Sequence, residues 1–254
     1  MELFDTHCHL DDERFNEDRE DAYARMLAAH VTRCVCVGSD IPSSQRALAF
    51  AKAHEGAYAA CGVHPHEAKD APEDYLARVE ALLKEEKAVA LGEIGLDYFY
   101  DFSPRETQKR VLVEQMDLAV RLNVPAIFHI RDAHGDMLDI FRAQKTLPRG
   151  VIHCFSGSEE IAREYVKMGF YISFAGPLTF KKAPRLAAAV LAVPKARLLI
   201  ETDSPYLAPE PLRGRRNEPA NVQYVCQKMA ALLDLPAEEV ADLTARNARA
   251  FYGV

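Results

Sequence analysis

Eight short apolar, β-branched runs recur along 254 residues, and this rhythm constrains the fold more than any other feature. They are Leu3–Leu10, Arg33–Gly38, Tyr58–Val63, Val89–Ile94, Ala126–Ile130, Val151–Phe155, Phe170–Phe174 and Leu198–Thr202. Such runs read as strands of a parallel sheet, buried on both faces. Helical spacing fills the stretches between them. Ser103-Pro104-Arg105-Glu106 reads as a capping box with proline at the first helical position. Leu112, Met116, Ala119 and Val120 then supply a core-facing stripe. Glu218-Pro219 opens another helix, with Val222, Val225, Cys226 and Met229 on one face, and Pro236–Tyr252 reads as an extra closing helix. Strands alternating with helices in a chain of about 250 residues fit an α/β fold of the (β/α)8 TIM-barrel type. An open doubly wound sheet would place a glycine-rich phosphate turn after the first strand. Here that position holds His7-Cys8-His9.

Half of the residues are hydrophobic and no Gly/Ser-rich linker interrupts them, which predicts a single domain over 1–254. No apolar stretch reaches spanning length, so no membrane partner is expected. Met1-Glu2-Leu3 lacks the basic start of a signal peptide, and the six cysteines then point to free thiols in a reducing cytoplasm. Cys8 and Cys154 neighbour candidate ligands, but strand alternation turns them away, toward packing against outer helices. The sequence favours a monomer without fixing the oligomeric state.

Positions i and i+2 of a strand point the same way, so the imidazoles of His7 and His9 face one point. Neutral imidazole is the commonest nitrogen ligand of divalent metals. Other polar residues close later runs: His64 the third, Glu93 the fourth, His129 the fifth and His153 the sixth, with Asp203 just after the eighth. A lone histidine at a strand end is ordinarily structural. Several nitrogen and carboxylate donors at equivalent ends are not, because active sites of (β/α)8 folds gather there.

These residues carry a resemblance. His7-x-His9, Gly92-Glu93-Ile94-Gly95-Leu96-Asp97, His129, His153 before Cys154-Phe155-Ser156-Gly157, and Glu201-Thr202-Asp203-Ser204-Pro205-Tyr206 resemble the TatD family of metal-dependent deoxyribonucleases. Arg216-Asn217-Glu218-Pro219 and the terminal Asn247-Ala248 extend the match toward the C-terminus. The family belongs to the amidohydrolase superfamily. The resemblance implies a barrel with two divalent ions (Mg, Mn or Zn) and phosphodiester hydrolysis, often 3′→5′ from a strand end. It implies that His7, His9, Glu93 and Asp203 hold one ion. His129 and His153, with Glu93 bridging, hold the second. Other amidohydrolases commonly bridge with a carboxylated lysine, and Glu93 in its place favours the nuclease branch. A small-molecule amidohydrolase or esterase, or an aminoacyl-tRNA deacylase, is the alternative on the same site.

The chemistry agrees. Two ions can hold the attacking and departing oxygens of a phosphodiester and supply hydroxide near neutral pH. Asp203 is the candidate proton acceptor. Asp5 shares the inward parity of His7 and His9 and is expected to orient an imidazole, while Asp97 is either a further such carboxylate or a loop residue. His64 and Arg131 are candidate phosphate contacts. Lys181, Lys182, Arg213, Arg215 and Arg216 form a candidate basic rim, and Tyr98, Phe99 and Tyr100 a candidate base-stacking group. A formal net charge of −7 excludes a duplex-coating protein and favours DNA entering as a single-stranded end.

Overall fold

The computed structural model describes residues 2–254. Every expected strand is present: β1 Leu3–Cys8, β2 Val31–Val37, β3 Ala57–Cys61, β4 Ala88–Asp97, β5 Ala126–Arg131, β6 Gly150–Ile152, β7 Tyr171–Phe174 and β8 Leu198–Ile200. They form one sheet in sequence order, and the pairs β1–β2, β3–β4, β4–β5, β5–β6 and β7–β8 are parallel. The helices are α1 Arg19–Ala28, α2 Ile41–Ala53, α3 Tyr75–Leu83, α4 Arg105–Leu122, α5 His134–Ala143, α6 Glu159–Lys167, α7 Pro184–Ala192, α8 Val222–Leu233 and α9 Ala237–Tyr252. The succession of parallel strands and intervening helices is that of a (β/α)8 fold. Among the described residues no helix is long and apolar enough to cross a membrane.

The chain forms two compact units, one of residues 37–153 and one of residues 1–36 with 154–254. In the second of these, α9 packs on β1 and β8. Phe4 and Tyr252 meet with ring centroids 6.0 Å apart, and the Tyr252 hydroxyl donates to the carbonyl of Thr6 at 2.9 Å. Asn247 donates to the carbonyls of Lys195 and Leu198, which ties the start of β8 to the same helix. The expected closing helix therefore holds β1 and β8 from one side. Val222, Val225, Cys226 and Met229 of α8 are all buried, as their spacing requires.

In residues 37–153 two buried glutamines of α4 clamp strand ends. Gln115 accepts from the Val63 N–H at 2.8 Å and donates to the Val63 carbonyl at 2.9 Å. Gln108 does the same for Asp97, at 2.8 and 3.1 Å, and also donates to Ser103. Both are fully desolvated, so each backbone group they satisfy would otherwise go unpaired. The capping box expected at Ser103 does not form. The Ser103 hydroxyl instead donates to the carbonyl of His66 and accepts from the Lys69 N–H, and α4 starts after Pro104 without a side-chain cap.

Candidate metal centre

Glu93 does not end β4. The strand runs on to Asp97, and its pairing with β5 slips between Leu91 and Ile94, which places Glu93 outside the regular alternation. Its Oε1 lies 2.7 Å from His153 Nε2, 2.9 Å from His129 Nδ1 and 3.7 Å from His64 Nε2. Ligand atoms from His64, Glu93 and His129 all lie within 4.8 Å of one another. His64 thus stands in the same cluster as Glu93 rather than apart from it. The close approach of β4 to β5 depends on Gly95, where an added Cβ would fall 1.9 Å from the His129 carbonyl oxygen.

Asp97 is the carboxylate that ends β4, and it is no loop residue: its side chain is fully buried. Its Oδ2 accepts from His66 Nε2 at 2.9 Å and from His129 Nε2 at 3.0 Å. Its Oδ1 accepts from the backbone N–H groups of Phe99 and Tyr100. Burial alone would push this carboxyl up, but the imidazole hydrogen bonds hold it well below the usual carboxylate range. The Nε2–H···Asp97 bond leaves His129 Nδ1 turned toward Glu93. This is the carboxylate–histidine arrangement that fixes the tautomer of metal-binding imidazoles. Burial disfavours charge on His129, yet Asp97 and Glu93 raise its pKa above the ordinary value. A field that favours a proton there also favours a cation. At His64 desolvation wins over the attraction of Glu93 and the pKa falls well below normal. Its Nδ1 accepts from the His66 N–H at 3.1 Å, which leaves Nε2 turned toward Glu93.

Three donors gather in the other unit. His7 Nε2 and His9 Nε2 lie 3.2 Å apart, and Asp203 Oδ1 is 3.7 and 3.5 Å from them. Two metal–nitrogen bonds of about 2.05 Å with ends 3.2 Å apart would subtend roughly 100°, between octahedral and tetrahedral angles. The donor set fits a divalent ion. Asp203 adopts a left-handed conformation (φ 56°), and its N–H donates to the His7 carbonyl. Asp5 does not orient an imidazole as the sequence led us to expect. Fully buried, it accepts from the Thr202 N–H at 2.8 Å and the Thr202 hydroxyl at 2.5 Å, and weakly from the His7 N–H. It thereby fastens the segment leading to Asp203 onto β1.

Sequence reasoning missed two residues that surround the Glu93 cluster. One is His66, visible only as half of a second His-x-His motif. The other is Phe102, exposed beside Phe99 and Tyr100. Tyr98 does not join that group, because its hydroxyl donates to Asp136 at 2.7 Å. Arg131 ends β5 with its guanidinium 4.1 Å from the Phe99 ring centroid and 4.8 Å from that of Tyr100. The basic rim is partly dismantled: Arg216 pairs with Asp18 at 2.6 Å, and Arg213 lies over Phe180. Cys8 packs against a strand neighbour, its Sγ 3.9 Å from that of Cys36, with Cys34 close by. Cys154 donates its N–H to Glu201.

Comparison with known proteins places this geometry. A model of the TatD-related DNases matches residues 4–253. The metal-dependent hydrolase YabD of Bacillus subtilis, itself uncharacterized, is 45% identical over 253 residues, 99% of each chain. The 3′-5′ ssDNA/RNA exonuclease TatD of Cronobacter sakazakii is 36% identical, with 90% of this chain and 89% of that protein aligned. Among solved structures, YJJV, a TatD homologue from Escherichia coli K12, superposes with a TM-score of 0.94 at 32% identity, covering 99% and 98% of the two chains. A likeness that spans residues 4–253 leaves one assignment: this chain is a metal-dependent hydrolase and belongs to the TatD family.

Proposed function

We propose that the protein is a two-metal phosphodiesterase that shortens single-stranded DNA from an end, in the 3′→5′ direction. The observation that carries this reading is the carboxylate at the centre of the imidazole cluster: Glu93 Oε1 has three histidine nitrogens within 3.7 Å. Positional match to the family supports His7, His9, Glu93 and Asp203 as ligands of one ion. It supports Glu93, His129 and His153 as ligands of the other. The exonuclease named among the relatives supports the substrate class. Imidazole-rich donors favour Zn²⁺ or Mn²⁺ over Mg²⁺ in affinity, while Mg²⁺ exchanges its waters readily enough to support turnover.

Bound divalent ions supply charge neutralisation at the phosphoryl oxygens and acidify a water. The protein's own groups do the rest. Asp203 accepts a proton from the attacking water at its Oδ atoms. Asp97 holds His129 in the tautomer that turns Nδ1 toward Glu93. His64, held neutral by burial, and Arg131 receive the terminal phosphates. With a net charge of −7, only a few local cations are available to the strand. The salt dependence of binding is therefore expected to be shallow, about 0.7 per phosphate contacted.

The deciding experiment digests labelled linear single strands and covalently closed circles of the same sequence, with Mn²⁺ or Mg²⁺ and with chelator. Linear strands are expected to shorten progressively, circles to survive, and chelator to stop the reaction. Efficient cutting of circles would remove the end-dependent reading. Inertness toward both substrates would remove the nuclease reading and favour a small-molecule or aminoacyl-ester substrate.

A further inference from the structure

Most of the large hydrophobic side chains that this protein exposes follow a strand-end carboxylate. Phe99, Tyr100 and Phe102 come after Asp97, and Tyr206 and Leu207 after Asp203; only Leu27 and Leu191 lie elsewhere among the described residues. Isolated exposed apolar residues need no explanation, but a contiguous group does. The group after Asp97 is contiguous. Tyr100 and Phe102 stack with centroids 5.2 Å apart at 26°, and Phe99 stands perpendicular to Tyr100 at 4.9 Å. The three residues are between 47% and 57% exposed, so a large part of the group stays open to solvent.

The group is continuous with the metal-type cluster. His66 meets Tyr100 at 5.4 Å and Phe102 at 4.9 Å, and bonds Asp97, which bonds His129. Asp97 also fixes the loop, because its Oδ1 receives the N–H groups of Phe99 and Tyr100. One buried carboxylate therefore sets both a ligand imidazole and the aromatic loop. Arg131 lies against Phe99 and Tyr100, adding a cation that a neutral docking surface would not need. A second copy of the chain is a poor occupant. Three rings offer far less than the ~800 Å² per partner of a standard interface.

We propose that Phe99, Tyr100 and Phe102, with Arg131, form a stacking platform for unpaired nucleobases of a single strand whose phosphodiester lies at the metal cluster. The inference rests on the phosphodiesterase reading and adds to it a reason for single-strand preference: paired bases cannot offer their faces to these rings. Stacking is tolerant of sequence, since every base has a π-face.

The test uses the double variant Phe99→Leu/Phe102→Leu, which keeps apolar bulk and removes the ring faces of two exposed residues. The first readout is binding of a 2-aminopurine-labelled single strand in chelator, where stacking quenches fluorescence. The second is the ratio of kcat/KM for that strand to kcat/KM for an abasic strand of equal length, with Mn²⁺. Quenching by the wild type, together with a loss of about tenfold in affinity and in that ratio for the variant, supports the platform. No quenching, or equal wild-type kcat/KM on base-bearing and abasic strands, overturns it while leaving hydrolysis in place. Quenching lost in the variant, with neither strand hydrolysed by the wild type, supports the platform and overturns the phosphodiesterase reading instead. A variant that changes sedimentation mass but not strand affinity overturns the platform in favour of contact between copies.

Discussion

The two donor clusters are built in opposite ways. His7 and His9 come from one strand and its immediate extension, and Asp203 joins them through a backbone bond to His7. The carboxylate behind them, Asp5, grips Thr202 and no imidazole. Glu93, His64, His129 and His153 come from separate segments in or beyond β3, β4, β5 and β6. Behind them Asp97 bonds His129 and His66 directly. Behind the first cluster the buried carboxylate holds the chain that carries the donors, and behind the second it holds an imidazole itself. The same substitution, carboxylate to amide, should therefore do different things in the two places.

The largest expected effect is at the ligand carboxylates. Glu93→Gln is expected to lower turnover on the order of 10³-fold and to weaken metal retention, since an amide cannot bridge two cations with the same charge. Asp203→Asn is expected to lower turnover about 10²-fold by removing the proton acceptor, while His7 and His9 keep most of the metal. Metal content measured beside single-turnover rates separates the two. Equal metal loss in both variants would erase the distinction between bridge and base.

Next in size are the carboxylates behind the ligands. Asp97→Asn is expected to weaken metal affinity by about 10–100-fold, because His129 loses the acceptor that fixes its tautomer. Asp5→Asn is expected to leave metal affinity near wild type and to cost about 1–3 kcal/mol of stability, since an amide nitrogen would face the donors of Thr202. Metal titration paired with denaturant unfolding reads both. A metal defect in Asp5→Asn larger than in Asp97→Asn would invert the comparison.

The smallest effect tests the backbone support of the first cluster. Tyr252→Phe removes the hydroxyl that donates to the Thr6 carbonyl, one residue before His7. A loss of about 1 kcal/mol in unfolding free energy is expected, with turnover close to wild type. A large fall in turnover at unchanged stability would show that β1 needs this side-chain bond to place its imidazoles.

The His7-x-His9 pair was legible from the chain because strand periodicity is local: i and i+2 share a face whatever the rest of the molecule does. The strands were legible for a similar reason, since runs buried on both faces announce themselves by composition, and so was α9, whose apolar face repeats at helical spacing. Asp97 could not be placed, because a carboxylate at a strand end becomes a buried acceptor only when two imidazoles and two backbone N–H groups converge on it. Gln108 and Gln115 read as ordinary polar helix residues, yet the packing of α4 turns them onto unsatisfied strand ends. Ser103 was drawn from its expected cap in a similar way: its hydroxyl donates to the carbonyl of His66 instead. Periodicity and the donor residues themselves were determined by sequence alone. Which polar group satisfies which was decided by tertiary structure, because that choice depends on what burial leaves without water.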